Sequence, residues 1–270
     1  MTEPGSLRSR LGDVRRVVNR RRFALGRTAR LEDDGLHLVR SPVFLLSSVR
    51  SGSTLLRSML DTHTQIVAPH ELHLGTMRVS SAKQYAVDSW EALGLSLDEL
   101  QNVLWDRALH LALVRGGGRI VVDKTPQNVE IWQRIHAFWP HARYLHLRRH
   151  PGSVYESLVH ARPDQPTAAH VANVARYGGW LDAARAALPG PTVRYEDLTA
   201  DPATTLRAVC AYLGVRYQTR MLTYRRSGNR GGLGDWSENI HSGRVQQARP
   251  LPALADVPAE LRDLTTAWGY

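Results

Sequence analysis

Several residue types are scarce in this 270-residue chain: it has one cysteine, three phenylalanines and two lysines. A lone cysteine excludes a disulfide within the chain, which suits a reducing, cytoplasmic setting and leaves stability to a packed core. Cys210 falls in the apolar pattern Leu206, Val209, Cys210, Leu213, so a buried helical position is expected rather than a reactive thiol. No apolar run reaches the roughly 18 to 20 residues of a membrane-spanning helix. No hydrophobic stretch follows the first charges, so a secretory signal is not expected. The histidines are scattered without H-E-x-x-H or Cys/His ligand spacing, and no metal is implied. The two lysines, Lys83 and Lys124, stand among 35 basic side chains, so ordinary positive charge is written here as arginine. A lysine kept against that bias suits a role as a compact point charge, and Lys124 is the stronger candidate because Lys83 lies in a polar stretch.

What is present is an ordinary globular composition, 43% hydrophobic and 22% charged, in a chain long enough for one α/β domain with a full core. The net charge of +10 points to anions, and nucleic acid, anionic lipid or a phosphate-bearing cofactor would each satisfy it. Residues 1–38 are rich in arginine and read as a solvated, partly helical extension, with docking to a membrane surface or a partner as the sharper alternative. No base-reading motif accompanies that stretch, and aromatics are almost absent from it, which argues against a nucleic-acid module. Residues 39–270 read as the domain proper.

Pro42-Val43-Phe44-Leu45-Leu46 is a short continuous apolar run of the kind found in buried parallel strands. Further strands are expected at 120–122, 144–147 and 192–195, and helices near 97–115, 128–138, 152–160, 168–188 and 202–213. Alternating strands and helices predict a single α/β domain with a central parallel sheet flanked by helices. The stretch 225–252, rich in Gly, Arg and Pro, reads as a long functional loop.

Two constellations carry chemistry. In the first, a strand leads through Arg50-Ser51-Gly52-Ser53-Thr54-Leu55 into a helix. Such a turn gathers unpaired backbone N–H groups, and the helix dipole adds to their pull on an anion. Gly52 allows close approach, while Ser53 and Thr54 offer hydroxyls. The nucleotide triphosphatase loop G-x-x-x-x-G-K-[ST] fails at two places, where Ser47 replaces the first glycine and Ser53 the lysine. A P-loop-like site for a phosphate-type group without the ATPase lysine is therefore expected. In the second, Arg149 ends a strand, His150-Pro151 starts a helix, and Ser157 falls on that helix's early turns, so Arg149 and Ser157 could face one phosphate. Coming after the first loop in chain order, the pair reads as a separate second anion pocket.

Together these residues resemble the sulfotransferases that use 3′-phosphoadenylyl sulfate (PAPS), and the likeness runs from about residue 42 to at least residue 245. Arg50 to Leu56 is similar to the loop that grips the 5′-phosphosulfate in that family. Arg149 and Ser157 match the pair that holds the 3′-phosphate, and Tyr195 in VRYEDL matches a tyrosine near the adenine. Asn229-Arg230-Gly231 with Gly234-Asp235-Trp236 resembles a late Arg-Lys-Gly…Gly-Asp-Trp segment, which assigns Arg230 and Gly231 to the cofactor despite two changed residues. An arginine in the first loop resembles the branch containing tyrosylprotein sulfotransferases and bacterial polyketide assembly-line domains. Pro69 to Leu74 looks like the assembly-line segment in which a Glu and a His lie at the reaction centre, here Glu71 and His73. Asp123-Lys124-Thr125-Pro126 corresponds to a segment with an active-site lysine. Val49 departs from a common proline but removes no ligand.

The resemblance implies in-line transfer of a sulfuryl group from PAPS to a hydroxyl of a small molecule, a carrier-bound alcohol being one option. Glu71 is then the general base, with His73 as alternative base or orienting partner, and Arg50 and Lys124 stabilise developing charge. A P-loop kinase using ATP and a non-catalytic polyanion-binding protein are the rival readings. The acceptor and the oligomeric state are left open by the sequence; segments 75–118 and 160–180 are expected to set specificity.

Overall fold

Phe44 and its neighbours form a strand because they are apolar on both faces, and a strand so written must lie inside a sheet covered on both sides. In the computed structural model, which describes residues 37–224 and 243–270, this strand is β1 (Val43–Ser47), and all five of its residues are buried. It is the middle of a five-stranded, wholly parallel sheet in the order β2-β3-β1-β4-β5, with β2 Ile66–Val67, β3 Ile120–Asp123, β4 Arg143–Arg148 and β5 Thr192–Arg194. The helices, in chain order, are α1 Ser53–Asp61, α2 Gln84–Ala92, α3 Leu97–Gly116, α4 Trp132–Phe138, α5 Pro151–Ala161, α6 Thr167–Ala187, α7 Tyr195–Ala200, α8 Pro202–Leu213 and α9 Ala259–Ala267.

The two faces follow the strand's period of two. Val43 and Leu45 of β1, with Leu145 and Leu147 of β4, join a cluster with Leu56, Met59 and Leu60 of α1 and Leu206, Val209 and Cys210 of α8. The alternate residues Phe44 and Tyr144 turn the other way, where Phe44 meets Trp139 at 5.4 Å and Tyr144 at 6.2 Å between ring centroids. Val154 and Leu158 of α5, Val174 of α6 and Leu261 of α9 pack as a further apolar cluster. Cys210 is fully buried, and burial pushes its thiol up to about 11, as a structural core cysteine should behave.

Chain-local signals set two of the helix starts. Pro151 and Pro202 occupy first turns, the His150 ring accepts the Ser153 N–H at 3.3 Å, and Asp201 accepts the Thr204 N–H at 3.0 Å. The helix expected over 128–138 divides into a 3₁₀ turn at Pro126–Val129 and α4. The reason lies in Asn128, whose side chain donates to the buried Asp123 carboxylate at 2.7 Å and ties that turn to the end of β3. Strand β2, α2, α7 and α9 were not foreseen; two paired residues are too few for any period to declare.

The described chain divides into two compact units. Of the described residues, the smaller takes in 37–38 with Met77–Arg107, and the larger takes in Val39–Thr76 with 108–224 and 243–270. In the smaller unit α2 buries no residue, and the Leu38 backbone N–H donates to Asp106 at 2.8 Å. The whole sheet and every described site residue discussed below belong to the larger unit. Among the described residues no helix is long and apolar enough to cross a membrane.

Sheet order also places the site. The chain leaves β1 toward β2 and β3 on one side, and leaves β4 toward β5 on the other, so the connections diverge between β1 and β4. In open parallel sheets ligands bind in the crevice beyond the strand C-termini at such a reversal.

Candidate active site

The loop after β1 is built for an anion. Arg50 has φ 61° and Gly52 φ 87°, so two left-handed residues within three positions curl the backbone into a concave turn. The Ser51 hydroxyl donates to the Ser48 carbonyl at 2.7 Å and pins the turn. Helix α1 then begins with no side-chain cap and no acidic residue in its first turn, so its leading N–H groups face outward uncapped. A side chain at Gly52 has no room, since a Cβ there would stand 2.2 Å from Cδ2 of Tyr195. Tyr195 therefore backs the loop.

The loop after β4 adjoins it. β1 and β4 pair in register from Val43↔Arg143 to Ser47↔Leu147, and their C-terminal loops emerge side by side. Arg149 donates to the Arg50 carbonyl at 2.9 Å, and Arg50 Nε donates to the Ser157 hydroxyl on α5 at 3.0 Å. The two cradles thus adjoin at Arg50. Neighbouring strands lie only about 4.8 Å apart, so the loops that follow them open side by side at one end of the sheet. On the far side β4 pairs with β5 as far as Arg148↔Arg194, and one residue further the Arg149 guanidinium lies 4.6 Å from the Tyr195 ring centroid.

Positive charge concentrates here. Burial holds Arg50 below the usual arginine range, and Arg149 and Arg162 lower it further. Arg149 is lowered by burial first; Tyr195, Glu196 and Glu156 oppose that, while Arg249 adds repulsion. Its buried Nε has no hydrogen-bond partner. Arg162 and Arg249 escaped sequence reasoning because neither sits in a recognisable motif. Arg230 and Gly231 lie outside the described residues, as does most of the expected long loop and nearly all of the Arg-rich extension.

A second group converges from other elements. Lys124, just past β3, is 1% exposed and donates to Glu71 Oε1 at 2.5 Å and to the Thr54 hydroxyl of α1 at 3.3 Å. His73 Nε2 stands 3.3 Å from Glu71 Oε2. Residues 71–73 form no strand; His73 takes φ 48°, and this left-handed turn brings its ring back to Glu71. The buried Asp123 carboxylate organises the corner by accepting from Asn128, Thr125 at 3.3 Å and the Leu72 backbone, while the Thr125 hydroxyl receives the His73 N–H at 3.2 Å. Burial raises the Asp123 pKa and outweighs the lowering by Asn128, Thr125, Lys124 and Leu72. The carboxyl acts there as an internal tie and has no open side for chemistry.

Of the residues expected from sequence, Arg50, Arg149, Ser157 and Tyr195 meet at one junction around the turn that holds Ser51 and Gly52, Ser53 and Thr54 open the helix after it, Leu55 packs into the core, and Glu71, His73 and Lys124 meet beside it through Thr54. The arrangement can hold a doubly anionic ligand and present a carboxylate near one end of it. The arginine-lined turn, the orphan Nε of Arg149 and the crowding at Gly52 all fit a nucleotide bearing phosphates at both its 3′ and 5′ positions, which hang from a single ribose.

Comparison with known proteins gives the following. The profile of the sulfotransferase family matches residues 42–219. The nodulation protein NoeE of Sinorhizobium fredii (strain NBRC 101917 / NGR234) is 31% identical over 126 residues, 43% of this chain and 30% of that protein, so the chain spans less than a third of that curated relative. The solved sulfotransferase domain from the Synechococcus PCC 7002 olefin synthase is 26% identical, with a TM-score of 0.62, over 86% of this chain and 96% of that one. The sulfotransferase domain from the curacin biosynthetic pathway shares the fold at 22% identity and a TM-score of 0.62, over 86% of this chain and 98% of that one.

Proposed function

The chain belongs to the sulfotransferase family and is a sulfotransferase, and we propose that it takes a sulfuryl group from PAPS and places it on a hydroxyl of a small-molecule acceptor. The observation that carries this reading is the junction at Arg50, where the two anion-binding loops meet within hydrogen-bond distance of each other and one residue contact from Glu71. Arg50, the N–H groups of Ser51 to Leu55 and the Ser53 and Thr54 hydroxyls would hold the 5′ end. Arg149 and Ser157 would hold the 3′-phosphate, and Tyr195 the base. Arg230 and Gly231 are assigned to the same phosphate by resemblance alone. PAPS supplies a sulfuryl group bonded to a phosphate that departs readily.

The chain's own part is to orient and to move one proton. Glu71 is the general base, accepting the proton of the acceptor hydroxyl. It is preferred to His73 because Lys124 anchors one oxygen and its side chain is 15% exposed, against 43% for His73, so its position is the better defined. His73 orients the second oxygen. Lys124, bridging Glu71 and Thr54, sets the distance between base and anion loop and carries positive charge to where the departing oxygen becomes negative. The acceptor is proposed to be a natural-product, lipid-like or carrier-bound alcohol; similarity to domains of a biosynthetic pathway and of an olefin synthase supports that class.

The direct test is incubation of candidate alcohols with PAPS and detection of the mass gain of one sulfuryl group. Turnover with PAPS but not with ATP and magnesium is the expected result; phosphoryl transfer from ATP would overturn the donor assignment.

A further inference from the structure

Behind the junction, on the side away from Glu71, a carboxylate lies close enough to Arg149 for its charge to be felt there. It is Glu196, the residue after Tyr195, and both of its oxygens are engaged. Oε1 accepts the backbone N–H of His150, the residue after Arg149, at 3.0 Å. Oε2 accepts the hydroxyl of Tyr270 at 2.6 Å. Glu196 therefore clamps the end of β4 to the start of α7, and with it the spacing of Arg149 and Tyr195.

Tyr270 is itself firmly held. Its ring has the Arg194 guanidinium 4.2 Å from the centroid and the His150 ring edge-on at 4.9 Å and 72°. Its backbone N–H donates to the Thr265 carbonyl at 3.2 Å, beside the Trp268 indole that donates to Asp182 at 2.9 Å. Burial and then Glu196 push the phenol above its ordinary range, while Arg194 pulls it down, so at neutral pH the hydroxyl keeps its proton and donates it to Glu196. Without that donor, Glu196 Oε2 would lose its partner, and Arg149, which already feels its charge, and Arg194 beside the Tyr270 ring are the cations it could turn to.

We propose that Tyr270 is a positioning residue for the 3′-phosphate pocket: by holding Glu196 Oε2 it keeps that carboxylate from neutralising Arg149, and so leaves Arg149 for the ligand. This rests on the reading of Arg149 and Ser157 as the 3′-phosphate pocket. The ring contacts of Tyr270 are kept by phenylalanine, so the substitution removes only what the hydroxyl makes, its bond to Glu196 and its interaction with Arg194.

The experiment is calorimetric titration of the full chain, at fixed salt, with 3′-phosphoadenosine 5′-phosphate (PAP) and with adenosine 5′-monophosphate (AMP), which lacks the 3′-phosphate. Tyr270→Phe is expected to weaken PAP by about three- to tenfold, the size of one hydrogen bond, and AMP by less than about twofold. Adding Glu196→Gln, which keeps an acceptor for His150 but removes the charge, is expected to restore PAP affinity to within about twofold of the parent. A purely structural tyrosine would weaken both nucleotides alike and would gain nothing from Glu196→Gln; either result overturns the proposal. If Tyr270→Phe does not fold, Glu196→Gln alone decides: PAP binding equal to or up to about threefold tighter than the parent supports the proposal, and weaker binding overturns it. A parent that binds PAP no better than AMP removes the pocket itself, and this proposal with it. A strong parental preference that Tyr270→Phe leaves unchanged removes this proposal alone.

Discussion

The arginine junction and the glutamate corner stand side by side and are built on opposite electrostatic plans. Around Arg50 and Arg149 like charges are brought together and partly buried, with Arg162 and Arg249 adding to the repulsion, so the junction gains most when an anion arrives. Around Glu71 the charges are already balanced, Lys124 on one oxygen and His73 on the other, with Asp123 tying the backbone beneath them. On the proposed reading, the region short of an anion supplies binding, and the region with charge in balance and a carboxylate held in place supplies proton transfer. Lys124 links them directly through Thr54.

If that division is right, the two regions should fail differently when cut. The largest effect is expected at the corner: Glu71→Gln should lower kcat by about 10² to 10⁴ while PAP binding stays within about threefold of the parent, read by steady-state rates and calorimetry together. Equal loss of rate and of nucleotide affinity would show that the corner also serves binding. Next, Arg149→Ala should weaken PAP by about 10- to 100-fold and AMP far less, because one charge-assisted set of hydrogen bonds to the 3′-phosphate disappears. A uniform loss for both nucleotides would move Arg149 to the 5′ side.

Gly52→Ala sharpens the comparison from the backbone. A left-handed φ of 87° and a Cβ 2.2 Å from Tyr195 require the turn or the ring to shift, so PAP affinity should fall by about tenfold and the melting temperature by several degrees. A stable variant with parental affinity would mean the turn is not the anion site. The smallest effect on either region concerns pH. His146, fully buried in β4, has its pKa lowered to about 4 by burial, then partly restored by the Leu188 backbone and lowered again by Arg185 and Arg148. The unfolded chain takes up that proton near pH 6.5 and the folded one only near pH 4. Stability should be full above about pH 6.5, decline as pH falls toward 4, and level off below, by on the order of 3 kcal/mol. Denaturant melts of the parent and His146→Gln across this window would test it; parallel pH profiles would exclude His146 as the cause.

The parts of the site legible in the sequence were those whose signal is short in chain terms. Arg50 to Leu55 and Arg149-His150-Pro151 each announce a strand end, a turn and a helix start within a dozen residues, and each formed as expected. Glu71 and His73 were legible as a pair only through resemblance, since the left-handed turn at His73 that joins them has no marker residue such as glycine. Arg162 and Arg249 carry no pattern at all. Likewise the expected helix over 128–138 was broken by Asn128 reaching Asp123, a side-chain bond that periodicity does not register.

Local chemistry by itself determined that this chain has buried parallel strands, a glycine turn feeding an uncapped helix, one lysine worth watching and no disulfide. Only the tertiary structure decided that β4 lies against β1, so that the two arginine loops adjoin at Arg50, and that Tyr270 reaches Glu196 across 74 residues. The physical reason is range. Turn, cap and period are set by neighbours a few bonds away, whereas strand order is chosen by how all the apolar faces can be buried at once, and a contact that depends on that choice leaves no trace in the residues on either side of it.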